Sequence, residues 1–243
     1  MKKSLMAGAI AALAAFNASA LTTGDLAFTA FNADEDGWSM VTFVDLAANT
    51  SIFFSDSTAT SATAIGSGES AFNWNTGSNV VASGTVVRFS AVDVVGRAAS
   101  VGSFTAVGTS NLGLSATAET IYAYLGNSAT APTTMLTAVS SEASTTSLTT
   151  VGLTAGTNAI KLTSSTDFAG YTGARSGAAS FAAYATSVNN PANWAIDVGG
   201  NGTSVIPNTT AFTITPVPEP ETYALLLAGL GLVGTIVRRR RAD

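Results

Sequence analysis

The chain has 243 residues with 10 basic and 15 acidic side chains, and it contains no cysteine and no histidine. Those absences exclude disulfides, Ser-His-Asp and Cys-His catalysis, and zinc chemistry through imidazole ligands. Within residues 21–216, 12 acidic against 4 basic residues leave a net charge of −8, a balance that repels nucleic acid and anionic lipid as partners.

Residues 1–20 read as a signal peptide. Lys2 and Lys3 make a positive start, residues 5–16 are apolar, and Ala18-Ser19-Ala20 fits a small-x-small cleavage site for signal peptidase. The mature chain is expected to begin at Leu21.

Residues 21–216 are long enough for one domain with a substantial core. They read as short strands between polar turns, at 25–31, 38–45, 51–55, 71–74, 85–90, 120–125, 159–162 and 211–214. Residues 178–184 read as a further strand, or as a short helix extending to 188, because Phe181 and Tyr184 are three apart. Residues 129–156 are rich in Thr and Ser and read as a long loop or solvated edge strands. The predicted fold is all-β, an antiparallel β-sandwich of jelly-roll or Ig-like type. A signal-peptide helix precedes it and a C-terminal transmembrane helix follows.

Three candidate sites lie in this stretch. Asn32, Asp34 and Asp36 alternate before Gly37 and offer oxygens to Ca²⁺, but residue 43, where a bidentate Glu would complete the loop, is Phe43. Trp74, flanked by Asn73 and Asn75, would offer a stacking ring and amides to a sugar if exposed; the default reading of such a large aromatic is a core anchor. Asp25, Asp45, Asp56, Glu69, Asp93 and Glu119 are the carboxylates from which a glycosidase pair would have to come. Most of them flank turns, where Asp bonds nearby backbone amides. Lys161 is the one lysine available for a Ser-Lys dyad and reads as a solvated strand residue.

The tail, residues 217–243, has three parts in order: Pro218-Glu219-Pro220, an uncharged apolar run at 222–237, and Arg238, Arg239, Arg240 and Arg241. The prolines keep the first part extended. As a helix the apolar run spans about 24 Å, short against a hydrocarbon core of roughly 30 Å. The arginines should remain cytoplasmic, which leaves the preceding domain outside.

This tail resembles the PEP-CTERM sorting signal of Gram-negative bacteria. The resemblance implies recognition by an exosortase, removal of the tail, and delivery to the cell surface or the exopolysaccharide matrix. The segments Gly24-Asp25-Leu26-Ala27-Phe28-Thr29, Phe31-Asn32-Ala33-Asp34, Tyr122-Ala123-Tyr124-Leu125-Gly126 and Asn189-Asn190-Pro191-Ala192-Asn193-Trp194 also resemble a recurrent exported bacterial domain that often carries this signal. That likeness implies an all-β fold and no particular activity.

The expected function is that of an exported structural or adhesive protein of the surface or matrix. It is held in the inner membrane transiently through its C-terminal helix, contacts exopolysaccharide, and carries no cofactor and no catalysis. The alternatives are a carbohydrate-binding module, calcium-dependent or not, and a carboxylate glycosidase acting on exopolysaccharide.

Overall fold

The computed structural model describes residues 20–108, 111–215, 225–230 and 232–233. In chain order its strands are β1 (Leu26–Asn32), β2 (Gly37–Thr42), β3 (Ser51–Ser55), β4 (Ala59–Ser61), β5 (Ala64–Ile65), β6 (Ala71–Asn75) and β7 (Val86–Ser90). They continue as β8 (Ala98–Ala99), β9 (Ser103–Ala106), β10 (Thr120–Ser128), β11 (Ala131–Ser140), β12 (Ile160–Lys161), β13 (Phe168–Tyr171) and β14 (Trp194–Asp197). Two six-stranded sheets result, in the orders β14-β13-β1-β2-β7-β8 and β12-β11-β10-β3-β6-β9, with β4 and β5 forming a small hairpin. Every strand pairing is antiparallel except β11 with β12.

Large apolar side chains at alternate positions join the two sheets. Trp38 on β2 stands opposite Phe31 on β1 and Phe89 on β7, so the three share one face. The Trp38 ring lies 5.2 Å from Phe54, 5.8 Å from Phe72 and 5.8 Å from Phe104, all on the other sheet. Phe54 meets Phe89 at 5.0 Å, and Phe72 stacks on Phe104 at 5.0 Å. One aromatic core therefore serves both sheets, and its tilted and offset ring pairs are the arrangements that favourable quadrupole contacts require. Its first member in the chain is Leu21, the residue expected to start the mature protein.

A second apolar cluster covers the outer face of the second sheet. Tyr122, Tyr124, Met135 and Ala138 project from β10 and β11 onto Ile65 of β5 and onto Leu148, Val151 and Leu153, in and after the helix α1 (Thr146–Thr150). This accounts for the principal departure from the sequence reading. The Thr/Ser-rich stretch at 129–156 contains β11, a ten-residue strand inside the sheet whose residues from Met135 to Ser140 are all buried. Its threonines and serines are small enough to pack on both faces, and pairing with β10 satisfies its backbone.

The remaining elements follow the sequence reading more closely. Residues 51–55 and 120–125 fall within β3 and β10 as expected, and β2 ends at Thr42 instead of Asp45. Residues 178–188 take the helical alternative, a 3₁₀ turn at Phe181–Tyr184 running into α2 (Ala185–Val188). Residues 211–214 do not form a strand. They are held by an isolated bridge between Ile214 and Ala178. The strands β4, β5, β8, β9, β13 and β14, each only two to four residues long, have no counterpart in the sequence reading. The described domain is thus all-β, in mostly antiparallel sheets, with little helix.

Candidate functional site

The acidic loop at 32–37 sends its side chains in separate directions. Asn32 Oδ1 accepts the backbone N–H groups of Asp34 and Glu35 at 3.0 and 3.1 Å, and its Nδ2 donates to the Gly202 carbonyl at 2.8 Å. Asp34 Oδ2 accepts from Gly202 N–H at 2.5 Å. Glu35 pairs with Arg88 on β7. Asp36, in a left-handed conformation at φ 54°, accepts from Leu114 N–H at 2.5 Å. Burial holds the Asp36 carboxyl above its ordinary range, opposed by that hydrogen bond and reinforced by Asp93 and Asp34. Asn32 Oδ1 thus braces its own loop, while Asp34 Oδ2 fastens Gly202 and Asp36 Oδ1 fastens the loop before β10. Among the described residues no group of three or more carboxylates is arranged to hold a metal ion.

The tryptophans are internal. Trp74 is 1 % exposed, its Nε1 donates to the Val101 carbonyl at 2.8 Å, and its ring meets Phe89 edge-on at 5.4 Å. No ring face is free for a sugar, so of the two readings the burial fits the core anchor and not the stacking contact. Asn73 and Asn75 point to the opposite side of β6. Asn73 donates to Ser51 Oγ at 2.6 Å, and Asn75 Oδ1 accepts from Gly77 N–H at 2.9 Å. Trp38 and Trp194 are buried as well.

Of the six candidate carboxylates, three converge. Asp56 follows β3, Glu69 lies just before β6 and Glu119 just before β10. The antiparallel registers Ser55–Ala71 and Tyr122–Ser55 bring these ends together. Glu142, which follows β11, joins them because Thr120 pairs with Ser140. The four carboxylates line one cavity of about 500 Å³ with Thr58, Asn111 and Ser115. Asp25, Asp45 and Asp93 lie elsewhere: Asp25 caps Thr22 N–H at 2.7 Å, Asp45 accepts from Ser83 N–H at 2.8 Å, and Asp93 is exposed. Glu142 escaped the sequence reading because it sits in the stretch that reads as a long loop or solvated edge strands, and only the pairing of β11 shows where it goes.

Burial dominates the electrostatics of this cavity. It pushes Glu119 up to about 8, against the N–H of Ser115, which Oε2 accepts at 2.8 Å, and with the negative charge of Asp56 adding to the rise. Glu119 Oε1 accepts from Thr120 N–H at 3.0 Å. Burial also pushes Asp56 up to about 6, opposed by a hydrogen bond from Ser70 and reinforced by Glu69. Tyr122, behind the cavity, rises to about 12 through burial and then Glu142. Lys161 approaches from the Glu142 side, but its Nζ donates to the Leu162 carbonyl at 2.7 Å, and burial lowers its pKa against the pull of Glu142. At neutral pH the site can hold a proton on Glu119, accept hydrogen bonds in number, and attract cations.

A second cavity, also about 500 Å³, lies on the outer face of the first sheet. Its floor is the cross-strand row Ala30, Gly170 and Ala195, and its wall is Val205, Ile206 and Pro207.

The domain is fastened up to the edge of the tail. Phe212 is buried, stacked on Tyr171 at 5.8 Å and edge-on to Tyr184 at 5.0 Å, with the Arg175 guanidinium 4.9 Å from its ring centre. Phe212 N–H donates to Gly84, Thr213 N–H to Arg175 and Thr215 N–H to Ala178. Beyond that point only 225–230 and 232–233 are described. They are helical, with exposed leucines and valine. Ala18, Pro218, Glu219, Pro220, Arg238, Arg239, Arg240, Arg241 and the rest of the expected membrane span lie outside the described residues. No helix among the described residues is long and apolar enough to cross a membrane.

No curated protein and no solved structure matches the chain. The family model of the PEP-CTERM protein-sorting motif matches residues 216–241, starting one residue after the last fastened position. The chain therefore carries a PEP-CTERM sorting motif, the mark of an exported, exosortase-sorted protein of Gram-negative bacteria.

Proposed function

We propose that the mature chain is a structural or adhesive component of the cell surface or extracellular matrix, with no catalysis of its own. The two sheets would act as a β-sandwich delivered intact to that location. The observation that carries the reading is the sorting motif placed directly after a domain whose backbone is hydrogen-bonded through Thr215. On this reading signal peptidase removes residues 1–20. The apolar segment at 222–237 holds the chain in the inner membrane for a time, and the exosortase then releases it beside Pro218-Glu219-Pro220. The intact mass of the protein recovered from the medium and surface fraction of its host tests this. A mass lacking both ends is expected, and any excess would measure an attached glycan or lipid. A mass that still includes residues 222–243, recovered only from the inner membrane, would overturn the reading.

A second reading, a carboxylate glycosidase, is favoured by the convergence of Asp56, Glu69, Glu119 and Glu142. Glu119, which burial keeps protonated near neutral pH, stands with three further carboxyl groups, the acid-plus-carboxylate composition such chemistry uses. New reducing ends released from exopolysaccharide by the wild type, and lost in Glu119→Gln, would support it. No release by the wild type removes it.

A further inference from the structure

The chain contains a single Asn-Gly pair, Asn201-Gly202, in the segment that follows β14. In such a pair the side-chain amide is open to attack by the next backbone nitrogen, because glycine has no side chain to hinder it. Asn201 is exposed, and its Oδ1 accepts the Thr203 N–H at 3.1 Å. This Asx-turn closes a ring that contains both the Asn201 Cγ and the Gly202 nitrogen. The Gly202 N–H donates to Asp34 Oδ2 at 2.5 Å, so a carboxylate stands on the proton of the attacking nitrogen. Asn32 Nδ2 holds the Gly202 carbonyl at 2.8 Å. A Cβ on residue 202 would come within 2.5 Å of the Phe168 ring, so packing keeps glycine at this position.

These contacts supply a nucleophile, a base on its proton, and a donor on the carbonyl that takes up charge. We propose that Asn201 is a self-modifying site, at which Asp34 is the base for cyclisation of Asn201-Gly202 to a succinimide. Asp34 takes the proton from the Gly202 nitrogen, and that nitrogen bonds to Asn201 Cγ. The negative charge that develops on Oδ1 faces the Thr203 N–H. The bond from Cγ to Nδ2 then breaks, and Nδ2 leaves as ammonia with the proton returned by Asp34. Water opens the ring at either carbonyl and leaves aspartate or isoaspartate at position 201. The new carboxylate stands close to Asp34, Asp167 and Asp197, which already flank Gly202, Gly199 and Gly200. Its charge opposes the Asp34 contact that ties this segment to the β1–β2 loop, and the segment continues into the Val205, Ile206 and Pro207 wall of the cavity on the first sheet. The inference is independent of where the domain is finally delivered.

Peptide mapping by mass spectrometry of the full chain, aged at neutral pH and constant temperature, tests this. The reference is a synthetic peptide of residues 198–205, which has the Asn-Gly pair but not Asp34. Conversion of Asn201 to aspartate and isoaspartate should be at least about tenfold faster in the folded chain than in the peptide, since a positioned base contributes that much or more. Asn208 makes the same Asx-turn, to Thr210 N–H at 2.8 Å, but is followed by Thr209, and should stay unconverted over the same period. Asp34→Asn keeps an oxygen for the Gly202 N–H but no base, and should slow conversion at least about tenfold. A contact that only pinned the loop would have the opposite effect, since its loss would speed conversion. If Asp34→Asn lowers Tm, the comparison of wild type with the peptide decides alone. The proposal is overturned if the folded wild type converts no faster than the peptide, if Asn208 converts as fast as Asn201, or if folded Asp34→Asn converts as fast as wild type or faster.

Discussion

Trp74 and Gly84 show how much depends on single positions in a domain with few large side chains. Trp74 on β6 meets Phe89 of the facing sheet edge-on, with its indole N–H satisfied by Val101. Trp74→Ala should therefore destabilise the domain by about 3–5 kcal/mol, seen as a large drop in Tm, and not act as a selective loss of sugar binding. An unchanged Tm with lost affinity would reverse that assignment. Gly84 has φ of +84°, and a Cβ there would collide with the Phe212 carbonyl and the Phe181 ring. Gly84→Ala should therefore detach the segment that holds Phe212 without unfolding the aromatic core. Limited proteolysis should then cut near residues 208–215 faster than in wild type, with the two sheets intact. The core role of Trp74 was one of the two readings open from the sequence, since a large aromatic in a domain with few of them is usually an anchor. The role of Gly84 was not legible, because a glycine before a strand looks like an ordinary turn.

At the level of elements, the strands rich in large apolar residues were legible and the one made mostly of small residues was not. β1, β3 and β10 carry Phe, Ile, Tyr and Leu densely enough to read as strands, although β1 is buried along its whole length and β10 over its first five residues, because both faces are covered. β11 is disguised by Thr and Ser, whose presence inside a sheet depends on what its neighbours provide, in this case β10 on one side and α1 over one face. The acidic loop between β1 and β2 was read correctly as a turn, but its oxygens are used by distant backbone: Gly202 lies 168 residues from Asp34 in the chain. Asn32→Ala removes the acceptor for two N–H groups and the donor to Gly202, and should cost about 1–3 kcal/mol. Calcium bound by the same oxygens would instead make Tm depend on the ion. Thermal melts with EDTA and with added calcium decide the matter: a Tm unmoved by either is expected, and a rise of several degrees with calcium would restore the loop as a metal site.

For the whole molecule, the surplus of acidic residues was plain from composition, but its concentration in one cavity was not, because four chain segments contribute to it through strand pairing alone. That concentration has a consequence for stability. In the unfolded chain Glu119 and Asp56 titrate near 4.5 and 3.8, whereas in the folded domain they titrate near 8 and 6. Between these values the folded state keeps protons that the unfolded state has released, so stability must fall as pH rises. The contribution is fully present below about pH 4, is lost first through Asp56 as pH passes about 6, and then through Glu119 as pH passes about 8. Each pKa unit corresponds to about 1.4 kcal/mol, so the drop should be readily measurable. Melts at pH 5, 6.5 and 8.5 should give a steadily decreasing Tm, and Asp56→Asn should raise Tm at pH 8.5 while changing it little at pH 5. Relief of repulsion on Glu119 accounts for the gain at high pH, and the near-neutral form of Asp56 at low pH accounts for its absence there. A Tm that rises from pH 5 to pH 8.5 would mean that these carboxylates are stabilised as anions, and the cavity would then have to be already neutralised by a bound cation.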